Sequence, residues 1–169
     1  MNVGEKITQL KNYYKCQLKI YLEMQKTAGL QQALCRKSDF KHEADVERLY
    51  DLIKKRQEQM AAAERFQHEA KYLLKSIQQS LDLEEITGTS LAGKYPGPEA
   101  ADLEKTLSKL EKILKNIARL DKESQQNMET KFEMVKQEMA ALQKEKQAHL
   151  AYKPVNKQRE GFFIDHKHV

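Results

Sequence analysis

Tryptophan is absent from the 169 residues, aromatics together make up 7%, and the chain holds only three prolines, six glycines and two cysteines. So few large aromatic side chains argue against a thick globular core, and the 33% of charged residues argues for extensive solvated helix surface. Two cysteines make no disulfide framework. Placed in one helix, Cys16 and Cys35 stand about 28 Å apart, beyond the span of a disulfide. Lone thiols of this kind suit a reducing compartment. No apolar run approaches the ~20 residues of a membrane span, and Met1-Asn2-Val3-Gly4-Glu5-Lys6 lacks the apolar stretch of a signal peptide. The expectation is a cytoplasmic protein without membrane insertion. Hydrophobic residues at 40% are too many, and too regularly placed, for wholesale disorder.

The scarce glycines and prolines are unevenly spread. Residues 99–153 contain neither, with Tyr95-Pro96-Gly97-Pro98 before them and Pro154 after. Within that stretch Leu103, Leu107, Leu110, Leu114 and Ile117 recur at alternating steps of four and three, the apolar seam of a helix packed lengthwise against another. At 1.5 Å per residue such a helix is about 80 Å long. Apolar content lapses over 121–127 and resumes at Met128, Phe132, Val135, Met139 and Leu142. The eleven residues from Ile117 to Met128 read as a four-residue stutter in the heptad pattern.

Two further helices are expected upstream. In the first, about 5–36, Ile7, Tyr14, Tyr21, Ala28 and Cys35 fall seven apart, with Leu10 and Met24 in a companion row interrupted by Gln17 and Gln31. Ser38-Asp39 offers side-chain acceptors for the start of the second, about 41–83. There Val46, Ile53, Met60, Leu74 and Leu81 form one row; Leu49, Ala63, Ala70 and Ile77 form the other, broken by Arg56. The short link makes these two helices antiparallel neighbours. Residues 84–97 collect turn formers and read as a loop that crosses the bundle end or moves freely. The third helix, 98–151, opens on Pro98 with acid in its first turn. The fold class is thus all-α: an elongated antiparallel bundle or coiled coil of three long helices, forming one helical domain over 1–151. A non-helical C-terminal tail follows over 152–169. Phe162, Phe163 and Ile164 stand alone in that polar tail, and three large apolar residues there argue for docking on something.

The net charge is +5, but 30 basic and 25 acidic residues are thoroughly mixed. That describes the polar faces of helices better than a basic face for nucleic acid; the row Lys11, Lys15, Lys19 is ordinary surface decoration. Gly88, Gly93 and Lys94 meet the spacing of a phosphate loop, yet Tyr95 stands where a magnesium-holding Ser or Thr is required, and no strand precedes it. Glu64/His68 and Glu145/His149 are each one residue too far apart for di-iron ligand pairs, and His166 and His168 lack further ligands. Neither catalysis, cofactor nor metal is expected.

Taken together, Asp45-Val46-Glu47-Arg48-Leu49-Tyr50-Asp51-Leu52-Ile53-Lys54-Lys55-Arg56-Gln57 after a short turn, a Gly/Ser-containing loop, the Leu103–Ile117 leucine seam and a tail closing on Phe163-Ile164-Asp165-His166-Lys167 carry a resemblance. The chain resembles the flagellar type III export chaperones of the FlgN and FliT type over most of its length. The resemblance implies a non-enzymatic cytoplasmic protein that binds helical termini of hook-filament junction (hook-associated) proteins and meets the export apparatus. It also implies that substrate binds the C-terminal part of the long helix, here Met128, Phe132, Val135, Met139, Leu142, Leu150 and Tyr152, with Phe162, Phe163 and Ile164 of the tail as further candidates. Such binding lays an amphipathic segment along an apolar stripe. The alternatives are a structural coiled-coil protein that buries the same stripe in a homodimer, or another helical adaptor.

Overall fold

A computed structural model describes residues 2–152. Over these the protein is all-α, with helices α1 (Val3–Lys37), α2 (Glu43–Leu81), α3 (Gly88–Lys94) and α4 (Pro98–Ala151). The residues group into two compact units, Met1–Lys131 and Phe132–Val169. α4 runs without interruption through 121–127. The tail, including Phe162, Phe163 and Ile164, lies outside the described residues.

The first unit is a three-helix bundle. α1 begins with a capping box, in which Asn2 Oδ1 accepts from Glu5 N at 2.8 Å while Asn2 N donates to Glu5 Oε2 at 2.8 Å; these bonds satisfy amides that the first helical turn leaves unpaired. α2 returns antiparallel, close against α1. α4 runs parallel to α1, as the Lys11–Asp102 ion pair at 3.4 Å and the Gln32–Glu123 hydrogen bond at 3.1 Å show.

Large apolar side chains concentrate at one end. Ile7 and Leu10 of α1, Ala70, Leu73 and Ile77 of α2, and Ala100 and Leu103 of α4 pack with Leu91 of α3. Toward the other end polar residues share the inner positions with Met24, Ala28 and Cys35. Buried Gln17 donates from Nε2 to Ala63 O at 3.3 Å. Buried Thr27 and Ser124 turn their hydroxyls back to Glu23 O and Leu120 O. Tyr14 and Tyr21, in the same row as Ile7, Ala28 and Cys35, are half-buried and not fully in the core. Burial pushes both phenols above their ordinary pKa, assisted at Tyr21 by the Glu64 carboxylate.

Four expectations are corrected. First, 88–94 is a helix, not loop: Thr87 caps it, its Oγ1 accepting from Ser90 N at 3.0 Å while Ser90 Oγ accepts from Thr87 N at 2.8 Å. Leu91 is thereby driven into the core, with Leu83, Ile86 and Tyr95 packed around it. Second, Ser38 does not start α2. It ends α1 through its N–H to Leu34 O, its hydroxyl accepts from Phe40 N at 2.9 Å, and α2 begins at Glu43 after His42. Phe40 in this turn adopts φ 57°, a left-handed conformation costly for a bulky residue. Third, Val46, Ile53 and Met60 are exposed, while Ala63, Ala70 and Ile77 of the other row are buried. Fourth, α4 packs without a register shift: Leu103, Leu110, Ile117 and Ser124, seven apart, are all buried. The inner row simply becomes polar after Ile117.

A candidate partner-binding surface on the long helix

Arg56 is the polar residue that seemed to break the inner row of α2. It holds that row by pairing with the next helix: Nη1 and Nη2 donate to Asp121 Oδ1 and Oδ2 at 2.5 and 2.7 Å, and Nη1 also reaches Gln31 Oε1 at 3.0 Å. Gln31 of α1, Arg56 of α2 and Asp121 of α4 thus form one polar layer joining three helices. A planar fork matched to a carboxylate is directional, so it sets the alignment of α2 on α4.

The first unit ends at Lys131, seven residues after buried Ser124. Lys131 Nζ donates to Cys35 O at 2.5 Å, to Arg36 O at 3.3 Å and to Ser38 O. It also lies 5.5 Å from the Phe40 ring centroid. An ammonium among the last carbonyls of α1 satisfies acceptors that the helix leaves open and complements the negative end of its dipole. The same turn buries Cys35, whose thiol is pushed up by desolvation, with Lys131 acting in the opposite direction. Cys16 and Cys35 are both free thiols.

Beyond Lys131 the packing stops. Every residue of 132–152 is exposed, including large apolar ones: Phe132 is 69% exposed, Met139 57% and Leu142 64%. Val135, Leu150 and Tyr152 are exposed as well, whereas Met128 is half-buried. Of the site residues expected from sequence, Phe132, Val135, Met139 and Leu142 therefore share one exposed stripe. Met128 belongs to the first unit, and Leu150 and Tyr152 stand near the helix end. Met134, also exposed, was not expected; it lies outside the heptad rows from which the site was read. Beside the stripe, among the described residues, Glu133 and Lys136 pair within the helix at 3.6 Å, and His149 Nε2 lies 3.9 Å from Glu145 Oε1.

The sequence reading also missed a surface on the first unit. Val46, Tyr50, Ile53 and Met60 run along the exposed side of α2, and Leu114 of α4 is 40% exposed. Their regular spacing pointed to core.

Among the described residues no group of His, Cys, Asp and Glu is arranged to hold a metal ion, and no helix is long and apolar enough to cross a membrane. No protein-family model, curated protein or solved structure matches the chain. The chemistry on offer at 128–152 is recognition: a helix presenting apolar side chains at steps of four and three, which a second amphipathic helix can cover.

Proposed function

We propose that this protein is a binding module that captures an amphipathic helical segment of another protein along α4 between Met128 and Leu150. The carrying observation is the stripe of Phe132, Val135, Met139 and Leu142, exposed along a helix that the bundle supports only as far as Lys131. Large apolar residues in register on one face, with none of the described residues packed over them, are the mark of a protein-interaction surface. Methionines suit it, because an unbranched thioether side chain adapts to differing surfaces.

The sequence resemblance gives the reading its biological form: a cytoplasmic export chaperone holding the helical termini of flagellar hook-filament junction proteins before secretion. Support for that form rests on the motifs quoted above. The test is titration of such termini into the full chain and into Phe132→Asp and Met139→Asp. Both sites are exposed, so the bundle should keep its thermal unfolding midpoint while affinity falls at least tenfold, the scale expected when an apolar anchor is replaced by a charge. Unchanged affinity in both variants would place the binding site elsewhere.

A further inference from the structure

Within the first unit α4 is held in two different ways along its length. As far as Ile117 its buried side chains include Leu103, Leu110 and Ile117 itself. From 118 to 131 only Ser124 is buried, and its hydroxyl turns back to Leu120 O of the same helix. Leu120 and Met128 are half-buried there. The bonds that tie this segment to α1 and α2 are polar and come at three levels. Arg56 donates to Asp121 at 2.5 and 2.7 Å, and Gln32 donates to Glu123 at 3.1 Å. Lys131 donates to the carbonyls of Cys35, Arg36 and Ser38.

Beneath the segment, α1 and α2 hold each other without it. They approach closely, as α4 does with neither. Buried Ala28 and Ala63 leave room for that approach, and Arg56–Gln31 at 3.0 Å and Gln17–Ala63 O at 3.3 Å bond across it. Lys11–Asp102 and Gln32–Glu123 each join residues 91 apart, which sets buried Ala28 and Cys35 of α1 at the level of 119–126 of α4.

We propose that residues 118–131 of α4 form a strap that lifts from α1 and α2 as one unit while the end around Leu10, Ile77 and Leu103 stays closed. Each polar anchor exchanges for hydrogen bonds to water when it lets go, so its net hold is small beside that of a buried leucine. The anchors at Asp121, Glu123 and Lys131 span about 15 Å of unbroken helix and therefore release together. Lifting uncovers Ala28 and Cys35 on α1 and the inner side of Leu120 and Met128 on α4. Access to this concealed apolar face is thus conditional on three polar anchors. The device lies wholly within the first unit and is independent of what the stripe beyond Lys131 binds.

Cys35 reports the opening, being 1% exposed with its carbonyl held by Lys131. Half-buried Cys16, nearer the apolar end of α1, serves as the reference. Labelling of the native full chain with N-ethylmaleimide, read site by site by mass spectrometry, follows both thiols at once. In the wild type Cys35 should label at least about tenfold more slowly than Cys16. Asp121→Asn and Lys131→Met each remove one anchor. Each should speed Cys35 about tenfold, the scale of one charge-assisted hydrogen bond, with Cys16 unchanged. Loss of the Lys131 charge by itself makes the Cys35 thiol less acidic, so a faster rate in that variant reports exposure. Leu91→Val, which weakens the opposite end, should leave Cys35 within about twofold of wild type. Any of four results would overturn the strap. Cys35 labelling as fast as Cys16 in the wild type would mean that nothing shields it. Cys35 unmoved by Asp121→Asn would confine the opening to the turn after α1. Cys16 speeding together with Cys35, or Leu91→Val speeding Cys35 as the anchor variants do, would mean that the bundle opens only as a whole.

Discussion

Arg56 occupies a position on α2 where the heptad count asks for an apolar side chain, and its role follows from what it reaches. Its side chain is 14% exposed against 41% for Asp121, so the pair sits at the bundle's edge and is partly screened. Losing one partner costs more than losing both: without Asp121 a mostly buried guanidinium is left unmatched, and without Arg56 a half-covered carboxylate is. Arg56→Met should therefore destabilise the chain by about 1–2 kcal/mol, the scale of a charge-assisted hydrogen bond. Adding Asp121→Leu should recover most of that loss, since two apolar residues then meet across the same gap. Urea unfolding of the two single variants and the double variant measures the coupling directly. Simple additivity of the two singles would mean that the polar layer aligns nothing. Gln17 belongs to the same logic: it interrupts an apolar row of α1 yet is buried, with its amide on the Ala63 carbonyl.

At the scale of elements, α3 has a role out of proportion to its length. Its fully buried Leu91 joins Ile7, Leu10, Ile77 and Leu103 at the apolar end of the bundle. Leu91→Ala should cost about 2–5 kcal/mol, the range for emptying a buried leucine site. Differential scanning calorimetry would show this as a lowered midpoint; a loss under about 0.5 kcal/mol would mean that the segment is dispensable. This helix was illegible in the sequence because Thr87-Gly88-Thr89-Ser90 spells a turn, and only the reciprocal Thr87–Ser90 bonds convert it to a helix start. The three long helices were legible because glycine and proline are missing from α4 after Pro98 and scarce elsewhere, while apolar residues keep a seven-residue repeat. Which row of α2 faces inward was not, because both rows are apolar and Arg56 appeared to disqualify the correct one. Periodicity also made the α4 stripe visible, but the same spacing in Val46, Ile53 and Met60 suggested burial. A period gives the face and not what covers it.

Considered as a whole molecule, the chain grades its stability along its elements. Around Leu10, Ile77 and Leu103 the first unit is packed with large apolar side chains, each worth about 1.5–3 kcal/mol when removed from water. Around Arg56 and Ser124 polar inner residues alternate with smaller or fewer apolar ones such as Ala28 and Cys35, and apolar residues such as Ile53 and Met60 remain on the surface. In 132–151 no side chain is buried, so helix there depends on propensity and on extension from the bundle. Native-state amide exchange should follow that order. Protection should be highest at 7–14 and 70–77, lower at 46–60, and lowest at 132–151 in dilute samples. Uniform protection across all four segments would mean that the polar layer and the stripe are held as firmly as the apolar end, and that the long helix needs no partner segment to stay formed.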